Sequence, residues 1–178
     1  MLVSSGRVAR MTRAASRSLL TMALATTVPA VAAQAQTTAR AAEARVSPFA
    51  SNVDENGIAL HGYDPVSYFT DQRPTLGLPA FQAMHEGATY RFASAAHRDA
   101  FLKTPARYIP QYGGYCALGV SGGGKYDIDP SAWRVENGKL YLNKNPSVQK
   151  AWLKDIPGYI VKAAAKWPTI LGDTPKPR

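Results

Sequence analysis

The stretch WRVENGKLYLNKNPSVQKAW, residues 133 to 152, decides the fold class. Alternating apolar side chains flank Asn137-Gly138, the dipeptide that most strongly predicts a two-residue turn between antiparallel strands. Asn145 and Pro146 then provide a helix N-cap and a proline at the first helical position. Apolar residues at helical spacing follow them. The stretch therefore predicts a β-hairpin that leads directly into a helix.

The same order occurs earlier in the chain. Residues 81–85 and 89–92 alternate on either side of a short glycine loop, which indicates a first hairpin. Ser94 is a plausible N-cap, and helical spacing continues from there until Pro105. Two hairpins that are each followed by a helix predict an α+β fold rather than a wound parallel sheet. A last helix should follow the break at Pro157-Gly158 and end at Pro168.

The first 35 residues have the order of a secretory signal peptide: four arginines, a short apolar run and small residues. The apolar run is too short for a membrane anchor, which needs roughly 20 apolar residues. Cleavage is predicted after Ala33 or, preferably, after Ala35. The mature protein should therefore be periplasmic or secreted and should carry no membrane anchor. The sequence divides into a signal peptide (1–35), a disordered linker (36–56), a domain (57–170) and a frayed tail (171–178).

Charge and cysteine content limit the partners. The signal contains four arginines and no acidic residue, so its removal lowers the formal net charge from +9 to +5. No run of five or six like charges marks a nucleic-acid-binding arm. Cys116 is the only cysteine and cannot form an internal disulfide, which leaves it as a buried apolar residue, a metal ligand or a reactive thiol. We expect a monomer or weak dimer with no nucleic-acid partner.

The glycine-rich segment 119–125 looks like a phosphate-binding loop but lacks two of its parts. Such a loop places Ser or Thr after its lysine and opens a helix whose N-terminus faces the phosphate. Here Tyr126 follows Lys125, and the next residues are a poor helix start. No nucleotide cofactor is predicted, and residues 119–124 are interpreted as a flexible surface loop.

Three blocks carry a resemblance to a known family: GYDPVSYF (62–69), GATYRFASAAHRDAFLKTPARYIPQYGGYCALGV (87–120) and GKLYLNKNPSVQKAWLKDIPGYIVKAAAKWP (138–168). In this order they resemble exported proteins of the YHS domain family over about residues 58 to 168. The resemblance implies a small treble-clef-like module, here elaborated at its C-terminus. It also implies an association with heavy-metal handling, often of copper.

Departures from the family pattern affect its metal chemistry. Cysteine-bearing members look like Asp-Pro-Val-Cys near the start and Phe-Cys-Ser-x-x-Cys before a helix. In this sequence Ser67, Ala93 and His97 stand in the places of those three cysteines. A closed four-sulfur zinc site is excluded, because alanine offers no ligand and serine is a poor one. The metal chemistry should be lost or moved, and His97 is expected on an exposed helix face.

If the metal site has moved, the candidate ligands are few: Cys116, His85, His61 and Met84. Thiolate, imidazole and thioether ligands together suit copper(I). Met84 and His85 are neighbours in a predicted strand, so their side chains should point to opposite faces. The pair Cys116 and His85 is therefore the predicted copper(I) site.

Two alternatives remain open. A metal-free module could bind a small organic ligand or a protein in a tyrosine-lined pocket. Its favoured contacts are Tyr63, Asp64 and Tyr115, and the further tyrosines are Tyr68, Tyr112, Tyr126 and Tyr141. A thiol enzyme built on Cys116, His85 and Asp64 is less favoured, because nothing in the sequence brings these residues together.

Overall fold

The computed structural model describes residues 50–177, so the predicted signal peptide and the linker up to residue 49 lie outside the described part. The helices are α1 (Ser67–Thr70), α2 (Ala95–Lys103), α3 (Pro105–Tyr108), α4 (Ala117–Ser121), α5 (Pro146–Trp152) and α6 (Ile156–Ile170). The strands are β1 (Leu78–His85), β2 (Ala88–Phe92), β3 (Asp129–Glu136) and β4 (Lys139–Asn143). No helix in residues 50–177 is long and apolar enough to cross a membrane.

Both predicted hairpins are present, and the α+β class is confirmed. β1 pairs with β2 and β3 with β4, each as a two-stranded antiparallel sheet. The two turn residues have positive φ in both hairpins, at Glu86 and Gly87 and at Asn137 and Gly138. That geometry matches the right-handed twist of the strands. The first strand of each hairpin also contains a register shift close to its beginning.

Side chains cap the helices as the sequence predicts. Ser94 accepts from the His97 N–H at the start of α2, and Asn145 accepts from the Val148 N–H at the start of α5. The prediction that Pro168 ends the last helix is wrong, because α6 continues to Ile170. Proline removes one hydrogen bond near a helix end, and the burial of Ile170 holds the final turn in place.

The glycine-rich segment is not the surface loop that the sequence predicts. Its first residues lie in α4, and Gly124 and Lys125 are buried. The Tyr126 ring packs on Gly119 and Gly124, where an added Cβ would meet the ring at 2.5 and 2.6 Å. The glycines are therefore required for packing at this point in the structure.

Lys125 connects this segment to the C-terminal end. Its Nζ donates to the carbonyl oxygens of Leu171 (2.7 Å) and Asp173 (3.1 Å) and lies 5.4 Å from the Trp167 ring centroid. The Lys176 N–H donates to the Lys125 carbonyl at 2.8 Å. The sequence predicts a frayed tail after residue 170. In the structure, residues 171, 173 and 176 of this tail form hydrogen bonds with the buried Lys125.

At the other end, residues 50–56 pack on the domain although the sequence assigns them to the disordered linker. Asn52 is 7% exposed. Its backbone N–H donates to the Gly113 carbonyl at 2.8 Å, and its side chain reaches Gly114 and Asp127. The ordered chain therefore includes residues before the predicted start at 57.

Within residues 50–177 the core has one main cluster and two smaller ones. The main cluster joins both hairpins to α1 and α2 and includes Phe92 and Phe101, whose ring centroids are 5.1 Å apart. Of the smaller clusters, one lies between α4 and α6, and the other gathers Ala117, Tyr141 and Trp152. This arrangement places the loop 60–66 against the end of β2 and the beginning of α2, where the polar groups of the site meet.

Candidate functional site

Asp64 is a fully buried carboxylate in the loop before α1. Its side chain is 0% exposed and accepts hydrogen bonds from the Val66 N–H (2.8 Å), the Ala93 N–H (2.9 Å) and Nδ1 of His97 (2.6 Å). The bond to Val66, two residues on, is the local turn that an Asp side chain favours. The other two bonds join the loop before α1 to the beginning of α2. Three donors compensate the burial of the carboxylate.

His97 is half-buried beside Asp64 and does not lie on the exposed face that the sequence predicts. Its side chain is 20% exposed and lies in the first turn of α2, which Ser94 caps. Because the Nδ1–H group donates a hydrogen bond to Asp64, the neutral ring carries its free lone pair on Nε2. Asp64 therefore fixes both the tautomer and the direction of the imidazole.

Two oxygen atoms face Nε2 of His97. Oγ1 of Thr70 lies 3.4 Å from Nε2, and Oδ1 of Asp71 lies 3.9 Å from it. The Thr70 hydroxyl donates to Asp71 Oδ1 at 2.8 Å. We call Asp64, Thr70, Asp71 and His97 the His97 site. It offers one nitrogen and two oxygen donors, with a buried carboxylate behind the imidazole.

The order of hydroxyl, imidazole and carboxylate also resembles the relay of hydrolases. In such a relay the hydroxyl donates its proton to the imidazole. Here the Thr70 hydroxyl donates to Asp71 and has a further acceptor in the Val66 carbonyl at 3.2 Å. The arrangement thus favours holding a ligand over activating Thr70 as a nucleophile.

A second histidine, His61, pairs with Asp127 on the other side of the same loop. His61 Nε2 lies 2.8 Å from Asp127 Oδ1, which also accepts from the Asn52 side chain at 2.9 Å. His61 and Leu60 both have positive φ, a conformation that costs a non-glycine residue on the order of 1 kcal/mol. Burial alone would raise the pKa of Asp127, but hydrogen bonds from His61 and Asn52 outweigh it and lower the pKa to about 2.

This low pKa predicts an acid-dependent stability. The unfolded chain takes up the proton near the ordinary carboxyl pKa, whereas the folded state takes it up only near pH 2. The contribution of Asp127 is therefore complete above about pH 5 and is lost as the pH falls to 2. It amounts to about 2 kcal/mol.

Urea unfolding at pH 6 and pH 2.5 measures this loss. We expect Asp127→Asn to lose about 2 kcal/mol less than the unmodified chain between these pH values, because the variant has no carboxylate to protonate. An equal loss in both proteins contradicts the assignment to Asp127.

Cys116 lies in the core. The residue is 1% exposed, and its thiol donates to Oδ1 of Asn143 at 3.8 Å and accepts from the Gly119 N–H at 3.4 Å, as the N-cap of α4. Burial raises the pKa of the thiol, although hydrogen bonds from Gly119 and other backbone groups act against it. The thiol form is therefore favoured over the thiolate that binds metals and acts as a nucleophile.

His85 and Met84 lie at the end of β1. The His85 ring packs edge-on against Phe101 with 5.8 Å between centroids, and its Nε2 is 3.9 Å from Glu86. The Met84 side chain is 75% exposed. Cys116 and His85 thus have different partners, and within residues 50–177 no group of three or more His, Cys, Asp or Glu side chains could hold a metal ion.

The tyrosines of the predicted pocket have different surroundings. Tyr115 is buried with its hydroxyl on the Ser51 carbonyl (3.2 Å), and Tyr63 forms a bridge with Leu76 beside the His97 site. Each of three cavities in residues 50–177 is lined by one of the tyrosines predicted for the pocket. Tyr68 lines one of about 410 Å³, Tyr112 one of about 450 Å³ and Tyr126 one of about 200 Å³ beside Cys116.

Of the predicted contacts, the structure places Asp64 at the centre of the site and brings it next to His97. The partners that sequence reasoning missed are Thr70 and Asp71. They follow directly after the Asp64–Phe69 block in the chain. A short helix at 67–70 would have indicated that they turn back towards Asp64, but four residues carry too little periodicity to predict one.

Comparison of the chain with family models, curated proteins and solved structures gives no match.

Proposed function

We propose that this chain is an exported domain of the YHS type that binds one divalent transition-metal ion at the His97 site. One observation supports this above all: Nε2 of His97 faces two oxygen donors while Nδ1 is bonded to a fully buried carboxylate. Histidines that bind metals almost always donate their second ring N–H to such an outer partner. Asp64 would have that role.

The donor atoms suit zinc or copper(II). The imidazole favours such ions over magnesium or calcium, and the site has no thiolate that would favour copper(I). Thr70 Oγ1 lies 2.8 Å from Asp71 Oδ1 and 3.4 Å from Nε2 of His97. Asp71 Oδ1 lies 3.9 Å from Nε2. Ligands about 2 Å from a tetrahedral ion lie roughly 3.3 Å apart, so binding would draw Asp71 Oδ1 closer to Nε2 than its 3.9 Å. His97 and Asp71 would hold the ion, Asp64 would orient the imidazole, and the Thr70 hydroxyl would position Asp71 through their hydrogen bond.

The predicted copper(I) ligands, Cys116 and His85, are less suited to bind a metal ion. Cys116 is enclosed by Asn143 and Gly119 and has a raised pKa, so a metal would have to displace a proton from a buried thiol. His85 packs against Phe101. A metal ion in the hairpin would thus require the core to open.

The YHS resemblance supports a metal site at this position of the fold. The two segments in which cysteine-bearing relatives place their thiolates are Asp64–Ser67 and Phe92–His97. Here hydrogen bonds to Asp64 from Ala93 and His97 join the same two segments. A scaffold that once held a sulfur-bound metal would then have kept the position and exchanged the ligands.

A metal titration with a matched set of variants tests the proposal. The chain has three histidines, so His61→Gln, His85→Gln and His97→Gln replace each imidazole in turn. We expect one equivalent of Zn²⁺ or Cu²⁺ to bind at pH 7.5 in competition with a chelator. His97→Gln should lower the affinity more than about 100-fold, because losing a ligand costs more than losing an outer partner. The other two variants should bind like the unmodified chain.

Asp71→Asn tests the oxygen donors and should weaken binding about tenfold or more, since it removes the carboxylate charge. An anaerobic copper(I) titration of Cys116→Ala tests the predicted thiol site separately. If His97→Gln binds the metal as tightly as the unmodified chain, the His97 site is not the metal site. If the copper(I) affinity then disappears in Cys116→Ala, the site lies at the cysteine.

A further inference from the structure

Arg91, in β2, has a guanidinium without a hydrogen-bond or ion-pair partner in residues 50–177. Three buried side-chain atoms of residues 50–177 lack a hydrogen bond: Thr75 Oγ1, Arg91 Nε and Asn143 Nδ2. Arg91 is half-buried, and none of the hydrogen bonds or ion pairs within the described chain involves its side chain. A guanidinium has five N–H donors and stays charged at all relevant pH values. Only Nε is among the buried unpaired atoms, so the terminal nitrogens of the guanidinium remain open to a ligand.

Two glycines fix the position of this arginine. A Cβ on Gly62 would lie 3.8 Å from Cδ of Arg91 and 3.9 Å from one of its terminal nitrogens, so the guanidinium lies against Gly62. A Cβ on Gly77 would lie 2.5 Å from the Arg91 carbonyl carbon. The Gly77 N–H donates to the Gly62 carbonyl at 2.9 Å. Gly77 therefore packs on the backbone of Arg91, and Gly62 lies beside the end of its side chain.

Two carboxylates, Asp64 of the loop 60–66 and Asp127 bonded to His61 of that loop, bind other donors. Asp64 accepts from Val66, Ala93 and His97, and Asp127 accepts from His61 and Asn52. Thr75, the second residue with a buried unpaired atom in this region, lies two positions before Gly77 and accepts from the Asp64 N–H through its carbonyl. Unpaired donors therefore occur on both segments that pack at Gly77.

We propose that Arg91 binds the oxyanion of a small ligand, a carboxylate or a phosphate, beside Gly62. The guanidinium fork matches two oxygens of such a group, and charge-assisted bonds of this kind are about twice as strong as neutral ones. Because the side chain already lies against Gly62 and its Nε is buried, part of its freedom is lost before binding. The site is separate from the proposed metal ligands and needs no metal.

Amide NMR of the full chain in EDTA tests the inference, with sodium phosphate and sodium acetate as separate probes at constant ionic strength. We expect saturable shifts of the Arg91 Nε–H and of the Gly62 and Gly77 amides with at least one probe. Arg98 is the matched control, because its guanidinium already bonds to Asp99. Its Nε–H should not follow the same curve.

Two variants complete the test. Arg91→Gln should abolish the saturable shifts of Gly62 and Gly77, and Arg91→Lys should weaken binding about tenfold, because lysine keeps the charge but loses the fork. The dispersion of the remaining amides shows that each variant is folded. Response to phosphate alone assigns a phosphate ligand, and an acetate response assigns a carboxylate. Shifts that do not saturate, that match those of Arg98 or that persist in Arg91→Gln overturn the proposal, whatever the metal titration gives.

Discussion

Replacing Asp64 with alanine lowers the free energy of unfolding by about 3 to 5 kcal/mol. The carboxylate is 0% exposed and accepts three hydrogen bonds. Its removal leaves the Val66 and Ala93 N–H groups and Nδ1 of His97 without their acceptor. Each buried donor that loses its partner costs on the order of 1 to 3 kcal/mol. The loop before α1 and the start of α2 also lose their connection.

Urea unfolding measures this effect as a lower midpoint with an unchanged slope. Asp155→Ala is the matched control, because Asp155 caps α6 on the surface through one bond to Gly158. Loss of a cap costs about 1 kcal/mol. If Asp64→Ala costs no more than Asp155→Ala, then Asp64 does not join the two segments in solution. Asp64→Asn should fall between the two, since an amide keeps one acceptor oxygen.

Trp152→Ala has an expected cost of about 3 to 5 kcal/mol, which is typical of a large side chain removed from a core. Trp152 is 1% exposed, and its ring lies 5.4 Å from that of Tyr141. Trp152 is the last residue of α5. Its side chain packs in one cluster with Ala117 of α4 and with the beginning of α6. Its loss leaves a cavity where four elements meet, and they cannot all move inwards to fill it.

The neighbouring residue provides the control for this prediction. Leu153 is 44% exposed, so Leu153→Ala should change the stability by less than about 0.5 kcal/mol. Thermal unfolding of both variants separates the two cases. A Trp152→Ala protein as stable as Leu153→Ala would show that the cluster of Ala117, Tyr141 and Trp152 does not support the fold.

Local chemistry allowed the secondary structure to be predicted. Asn137 and Gly138 adopt positive φ because an Asn-Gly turn does so readily, and Ser94 and Asn145 cap helices through bonds to residues three positions on. The errors occur where packing outweighs a local signal. α6 continues past Pro168 because Ile170 is buried, and the glycines at 119 and 124 make room for Tyr126 rather than for a mobile loop.

The sequence by itself determined the two hairpin and helix units and singled out Asp64 and the histidines as polar groups to examine. Only the tertiary structure decided which of them meet. Asp64 and His97 are 33 positions apart and share a hydrogen bond of 2.6 Å, whereas Cys116 is enclosed by Asn143 and Gly119. Turns and caps depend on bonds between residues a few positions apart. A site depends on contacts between distant segments, which packing of the core brings together.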